Sequence, residues 1–243
     1  MRHRYGDHFH QFADLYLPPE PDGPLPVAVV LHAGFWREQY SLELSEDLAR
    51  DLPRRGWAAW NVEYRRVGEA GDGGYPPTLE DVAAAIDFLQ TLDAPLDLAR
   101  VVTIGQSAGG HLALWAATRE APAVPLAGAV SQAGAPDLRE ADRLGLGDGA
   151  AAAFMGGHAD DVPDSYADAS PIEHLPLGVP QLLVHGEADH VIPASLSSSY
   201  AERAREAGDD VELVLRPGED HFVHTDPAGA AWGDVMRWLE RFG

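Results

Sequence analysis

Short strand-like runs alternate with helix-like stretches along almost the whole chain, and this rhythm restricts the fold more than any other feature. Val27-Ala28-Val29-Val30-Leu31-His32 is a nearly continuous apolar run, the pattern of a strand covered on both faces. Gln11 to Leu17 precedes it as an opening strand, and Pro18 to Pro26 is a turn-rich connection. Ser41 to Arg55 has helical spacing, with Leu42, Leu44, Leu48 and Leu52 apolar; Trp57 to Tyr64 returns to strand character. Thr78 is placed to cap a helix through Leu92, with Glu80 and Asp81 in its first turn, where the helix dipole favours acids. Further strands are expected at Val101 to Ile104, Leu126 to Ser131, Val179 to His185 and Val211 to Leu215. Helices are expected at Ala108 to Arg119, Ser195 to Ala207 and Ala228 to Phe242. Such alternation implies an α/β fold with a mostly parallel sheet and helices on both faces.

One stretch breaks the rhythm. From about Ala135 to Leu177 the chain is rich in Gly, Asp, Ala and Pro and shows no clear strand. It reads as a short cap or active-site excursion within a single domain spanning 1–243, because long irregular connections in compact α/β domains are usually functional.

Composition removes several chemistries. The chain has 243 residues and no Cys, which excludes thiol nucleophiles, disulfides and iron–sulfur clusters. All 17 basic residues are Arg, so Schiff-base, pyridoxal-phosphate and P-loop chemistry lack their lysine. The formal net charge of −22 opposes nucleic acid and anionic membrane partners. No apolar run approaches the ~20 residues of a membrane span. The start, Met-Arg-His-Arg-Tyr-Gly-Asp-His, lacks the apolar core of a signal peptide, so a cytoplasmic location is the expectation. His3, His8 and His10 fit no common metal spacing; neither metal nor organic cofactor is expected.

The chemistry concentrates in Gly105-Gln106-Ser107-Ala108-Gly109, between an expected strand and an expected helix. In such a nucleophile elbow the turn is tight and strained, small neighbours avoid clashes, and the serine hydroxyl stands out at the strand's carboxyl end. The Ala108 N–H, at the helix N-terminus, faces the site and suits an oxyanion. Serine needs a base. His221, in Pro217-Gly218-Glu219-Asp220-His221-Phe222 just after the last strand, is the first choice and His224 the second. The imidazole needs a carboxylate to fix its tautomer. Asp189, in His185-Gly186-Glu187-Ala188-Asp189 after a strand, is the first choice, with Glu187 the alternative. His32-Ala33-Gly34-Phe35-Trp36 follows the first core strand, so Gly34 and Phe35 are placed to offer further N–H groups to the oxyanion. His32 more naturally braces that loop, and His111 packs beneath the elbow. Trp36, Phe154, Met155 and Val191 are candidate substrate-binding residues, with ordinary packing as the competing role for Phe154 and Met155.

These segments resemble the α/β-hydrolase superfamily. His32 to Trp36 is similar to the H-G-G-x-W oxyanion motif of kynurenine formamidases and related small esterases. Gly105 to His111 resembles their G-x-S-A-G-G-H elbow, and His185 to Asp189 their H-G-x-x-D segment. Ala33 departs from the first glycine of the motif. The resemblance implies Ser107, Asp189 and His221 as a triad, with Gly34, Phe35 and Ala108 around the oxyanion. The expected substrate is a small carboxylic ester or aryl formamide. An aminopeptidase-like amidase and a non-catalytic binding protein on the same scaffold are the competing readings, and a homo-oligomer is compatible with all of them.

Overall fold

The computed structural model describes residues 1–21, 23–70 and 72–243. Among them, eight strands form one sheet: β1 (Arg2–Arg4), β2 (Phe12–Tyr16), β3 (Leu25–Leu31), β4 (Ala58–Val62), β5 (Leu96–Gln106), β6 (Gly128–Gln132), β7 (Gln181–Gly186) and β8 (Val211–Arg216). Their order is β1-β2-β4-β3-β5-β6-β7-β8. β1 and β2 pair antiparallel, as do β2 and β4, whereas every pairing from β4 across to β8 is parallel. β3, flanked by β4 and β5, is buried at all seven positions, which is why its sequence is apolar without alternation.

The two faces of the sheet are covered by different helices. Val27, Val29 and Leu31 of β3 join a cluster with Leu79, Val82 and Ile86 of α2 (Pro77–Asp87) and Leu112 and Ala113 of α3 (Ala108–Trp115). Ala28 and Val30 face the other way, toward Leu48 of α1 (Glu46–Asp51) and Trp232, Val235 and Leu239 of α8 (Ala230–Leu239). The period-2 alternation of a strand thus feeds two cores.

Some boundaries differ from expectation. Ser41 to Arg55 is not one helix: α1 is flanked by 3-10 turns at Leu42–Ser45 and Leu52–Arg55. Pro53 lacks the N–H that would continue the ladder. Thr78 lies inside α2 rather than capping it; its hydroxyl donates to Arg65 O at 2.6 Å and accepts from Gly74 N at 2.9 Å.

The 135–177 stretch is more regular than its composition suggested. It carries α4 (Leu138–Arg143), α5 (Leu146–Met155) and α6 (Pro163–Ala169). Asp137 caps α4 by accepting from Glu140 N at 3.0 Å. Gly147, Asp148 and Gly149 open α5 in left-handed geometry, with φ of 59°, 53° and 73°. This turn interrupts the helical period and hides α5 in the sequence. Among the described residues no helix is long and apolar enough to cross a membrane.

Candidate active site

Ser107 stands between the last residue of β5 and the first of α3. Its φ of 56° and ψ of −119° are a sparsely populated conformation for a residue with a Cβ, held by the surrounding structure. A side chain at Gly105 would collide with the Gly109 carbonyl, and one at Gly109 with the Leu31 carbonyl at the end of β3. The turn therefore closes only with hydrogen at both positions. Ser107 N–H donates to Gln132 O at 2.8 Å, pinning the elbow to β6. Ala108, as the first residue of α3, has no acceptor for its N–H within the helix.

The loop after β3 is the second strained segment. Gly34, Phe35 and Trp36 have successive φ values of 117°, 53° and 56°. The left-handed run begins after Ala33, so the Ala33 methyl adds no backbone strain where a glycine was expected. At Gly34 a side chain would strike the Tyr40 ring, so both φ and space require glycine there. Arg37 N–H donates to Gly34 O at 2.9 Å, and the Arg37 guanidinium donates to Gly147 O at 2.5 Å. The loop is thereby tied to the left-handed turn of α5. Beneath it His32 Nδ1 donates to Ala33 O at 2.7 Å, and Nε2 lies 3.0 Å from Glu63 Oε1. Glu63 also accepts from Leu42 N and Tyr64 N, each at 3.0 Å. His32 braces the loop.

The other half of the site is built from hydrogen bonds. β7 ends at Gly186, and the loop that follows carries Asp189. Its Oδ1 accepts the N–H groups of Val191 and Ile192, both at 2.8 Å. Its Oδ2 accepts from His221 Nδ1 at 2.6 Å and from His185 Nε2 at 3.2 Å. Burial works to raise the Asp189 pKa, but the hydrogen bonds from His185, His221 and Ile192 outweigh it and hold the carboxyl well below its usual range. His185 Nε2 faces only acceptors, Asp189 and Ile192 O at 2.9 Å, so it carries the proton and Nδ1 accepts from the Ser197 hydroxyl at 2.7 Å. Gln106 Nε2 donates to His221 O at 3.0 Å, joining the elbow to the histidine loop.

Of the two alternatives, Glu187 is exposed where Asp189 is buried. His224 is fully buried, and neither of its ring nitrogens has a hydrogen-bond partner among the described residues. Burial first, then the neighbouring His185 and His221, lowers its pKa to about 3, so it stays neutral. The Asp189 contact therefore belongs to His221.

Ser107 and His221 line one cavity of about 310 Å³, with Gly34, Phe35, Val191 and Phe222 among its other walls. Phe222 is 67% exposed and meets the His221 ring edge-on at 5.6 Å. Val191 lines this cavity. Phe154 and Met155 do not line it: both are in the core, where Phe154 stacks on Trp36 at 4.7 Å. Their apolar character serves packing beneath the loop that follows β3, which corrects their assignment as pocket residues. Trp36 is 4% exposed and borders only a small void beside Ser107 and Ala108. His111 packs beneath the elbow, donating from Nε2 to Ala169 O at 2.8 Å; burial lowers its pKa to about 4. Nothing in the sequence pattern marks Gln106, Ser197 or the bracing role of His185 as parts of this network. Of the three, His185 alone stands in a recognised segment, H-G-x-x-D.

Several known proteins are similar to this chain. A probable isoprenylcysteine alpha-carbonyl methylesterase of Oryza sativa subsp. japonica is 28% identical, over 89% of this chain and 56% of its own length. The esterase LipC of Mycobacterium tuberculosis is 26% identical, over 89% of this chain and 58% of its own length. The chain thus spans little more than half the length of these curated relatives. A thermophilic esterase structure from Thermogutta terrifontis superposes with a TM-score of 0.77 at 23% identity, covering 100% of this chain and 90% of the other. With the mostly parallel sheet and its two helical layers, this likeness makes the architecture an α/β-hydrolase fold. Residues 13–203 match the family model described as BD-FAE, and the chain belongs to that family.

Proposed function

We propose that this protein hydrolyses small carboxylic esters, and by the same route aryl formamides, through an acyl-enzyme on Ser107. The observation that carries the reading is the 2.6 Å contact between Asp189 and His221 Nδ1, at the wall of the cavity that also receives Ser107. With Nδ1–H bound to a carboxylate that stays ionised, Nε2 is left as the basic nitrogen. His221 takes the proton of Ser107 Oγ as that oxygen bonds to the substrate carbonyl carbon. The N–H groups of Ala108, Gly34 and Phe35 stabilise the resulting oxyanion; each such donor contributes roughly 3 kcal/mol at the transition state. His221 then gives its proton to the departing alkoxide or amine. Water, deprotonated by His221, cleaves the acyl-serine, and the carboxylic acid leaves with Ser107 Oγ reprotonated. The methylesterase and esterase names of the relatives agree with an ester substrate.

A fluorophosphonate probe tests the nucleophile. The wild-type chain should be labelled at Ser107 and should hydrolyse p-nitrophenyl acetate, and Ser107→Ala should do neither while keeping its thermal transition. An unlabelled wild type would favour a binding protein on a hydrolase scaffold. Turnover of aminoacyl anilides alone would replace the esterase reading with an amidase one.

A further inference from the structure

Two cavities meet at Ser107, and they differ in size and in which catalytic group they contain. The larger, about 310 Å³, includes His221 in its wall. The smaller, about 10 Å³, lies on the side of Ala108 and Trp36 and does not include His221. Phe35 borders both. The smaller void is closed by Ala135 and Ala141 at the α4 end, by Leu146, Ala150 and Ala151 of α5, and by Ile192. All but Leu146 of these six are buried, and Ala135, Ala141, Ala151 and Ile192 pack into one cluster with Leu146 against it.

We infer that the void beneath α5 is the acyl site and that it admits an acetyl- or formyl-sized group, while the larger cavity takes an uncharged, apolar alcohol. The inference rests on the reading of Ser107 as nucleophile and His221 as proton carrier. The direction follows from the chemistry. The leaving oxygen must receive its proton from His221, so the alcohol occupies the cavity that contains His221. The acyl substituent must then point to the other side of the tetrahedral carbon, where the space is walled by the Ala108 and Phe35 segments. That space is near the lower limit for one water-sized group, enough for a hydrogen or a methyl. Interiors are packed too tightly to yield freely to a longer chain. The alcohol cavity has a different character: Tyr40, Leu44, Val191 and Phe222 line it, and none of its lining residues is Asp, Glu or Arg. In a chain of net charge −22, that uncharged wall is a local exception, and it suits an aromatic or aliphatic alcohol.

Benzyl acetate and methyl phenylacetate test the assignment, because they are isomers that carry the same two groups on opposite sides of the ester. The wild-type protein should favour benzyl acetate by at least about tenfold in kcat/KM, and p-nitrophenyl acetate over p-nitrophenyl butyrate by a similar factor, since each methylene in a closed apolar site is worth about 10–200-fold. Leu146→Ala enlarges the void from the side of α5 and Ile192→Ala from the side of the loop that follows β7. In each the acetate-to-butyrate ratio should fall severalfold. Equal rates on the two isomers, or preference for methyl phenylacetate, would overturn the assignment while leaving the serine mechanism standing. So would an acetate-to-butyrate ratio unmoved in both variants. Failure of every ester together with absent fluorophosphonate labelling would remove the nucleophile reading and this inference with it.

Discussion

The site has two halves that are held in place by different physics. The elbow half, residues 33–37 and 105–109, depends on backbone in unfavourable conformations: Phe35, Trp36 and Ser107 all have positive φ without being glycine. It is kept there by close packing against β3, β6 and the core beneath Trp36. The histidine half, around residues 185–192 and 216–224, has ordinary backbone except at Gly218, and it is kept in place by the hydrogen bonds that converge on Asp189. The difference separates failure modes. Changes to the first half, Ser107 itself apart, act through volume and cost stability. Changes to the second act through proton positions and cost rate.

The sharpest test of that division is Asp189→Asn. The carboxylate receives four N–H donors, two on each oxygen. An amide presents its own NH2 to one of those pairs, so His221 is turned or left in the wrong tautomer. Loss of about 10⁴ in kcat, equivalent to about 5.5 kcal/mol, is expected, with thermal stability reduced far less than activity. Steady-state kinetics beside a melting curve measure both. A variant that keeps more than a tenth of wild-type kcat would show that this carboxylate does not govern the histidine.

Gly109→Ala probes the opposite half and comes second in size. The added methyl meets the Leu31 carbonyl at the end of β3, a backbone atom that can retreat only with the strand. A loss of roughly 3 kcal/mol of stability, or failure to fold, follows from overpacking at such a contact. Denaturant unfolding would read it. A variant of unchanged midpoint would mean that the elbow is looser than its geometry implies.

These halves were unequally legible in the sequence. The elbow announced itself because sterics demand small residues at fixed offsets from the serine, and the strand-to-helix context was visible as a change of period. Asp189 and His221 were readable only as members of the set, through their positions after β7 and β8. Ser197 and Gln106 were not readable, since each acts through one hydrogen bond to a partner 12 or 115 residues away. The 135–177 stretch reads as irregular in the sequence because three left-handed residues open α5 and shift its apolar pattern. Phe154 and Met155 are pocket candidates only if the 135–177 stretch folds over the site, and their apolar character is one that core residues share; they lie in the core.

Acid pH probes the packing under the elbow half, and His111→Gln gives the smallest effect. His111 is fully buried under the elbow, and its pKa is lowered by that burial from the ordinary 6.5 to about 4. In the unfolded chain the ring takes up its proton as pH falls through about 6.5, whereas the folded protein refuses it until about pH 4. Across that window the unfolded state binds more protons, so stability declines on acidification; below it both states are protonated and this histidine removes nothing more. At pH 5 the loss amounts to about 2 kcal/mol relative to neutral pH. Glutamine has an amide that can replace the Nε2–H donor to Ala169 O without titrating, so the variant should be less stable than wild type at pH 7.5 but lose less between pH 7.5 and 5. His224, buried and also lowered, to about 3, remains in the variant, so the slope is reduced rather than abolished. Urea midpoints at the two pH values decide the matter: parallel shifts in both proteins would mean that the space under the elbow tolerates a charged ring, and that packing there is weaker than the strained backbone above it requires.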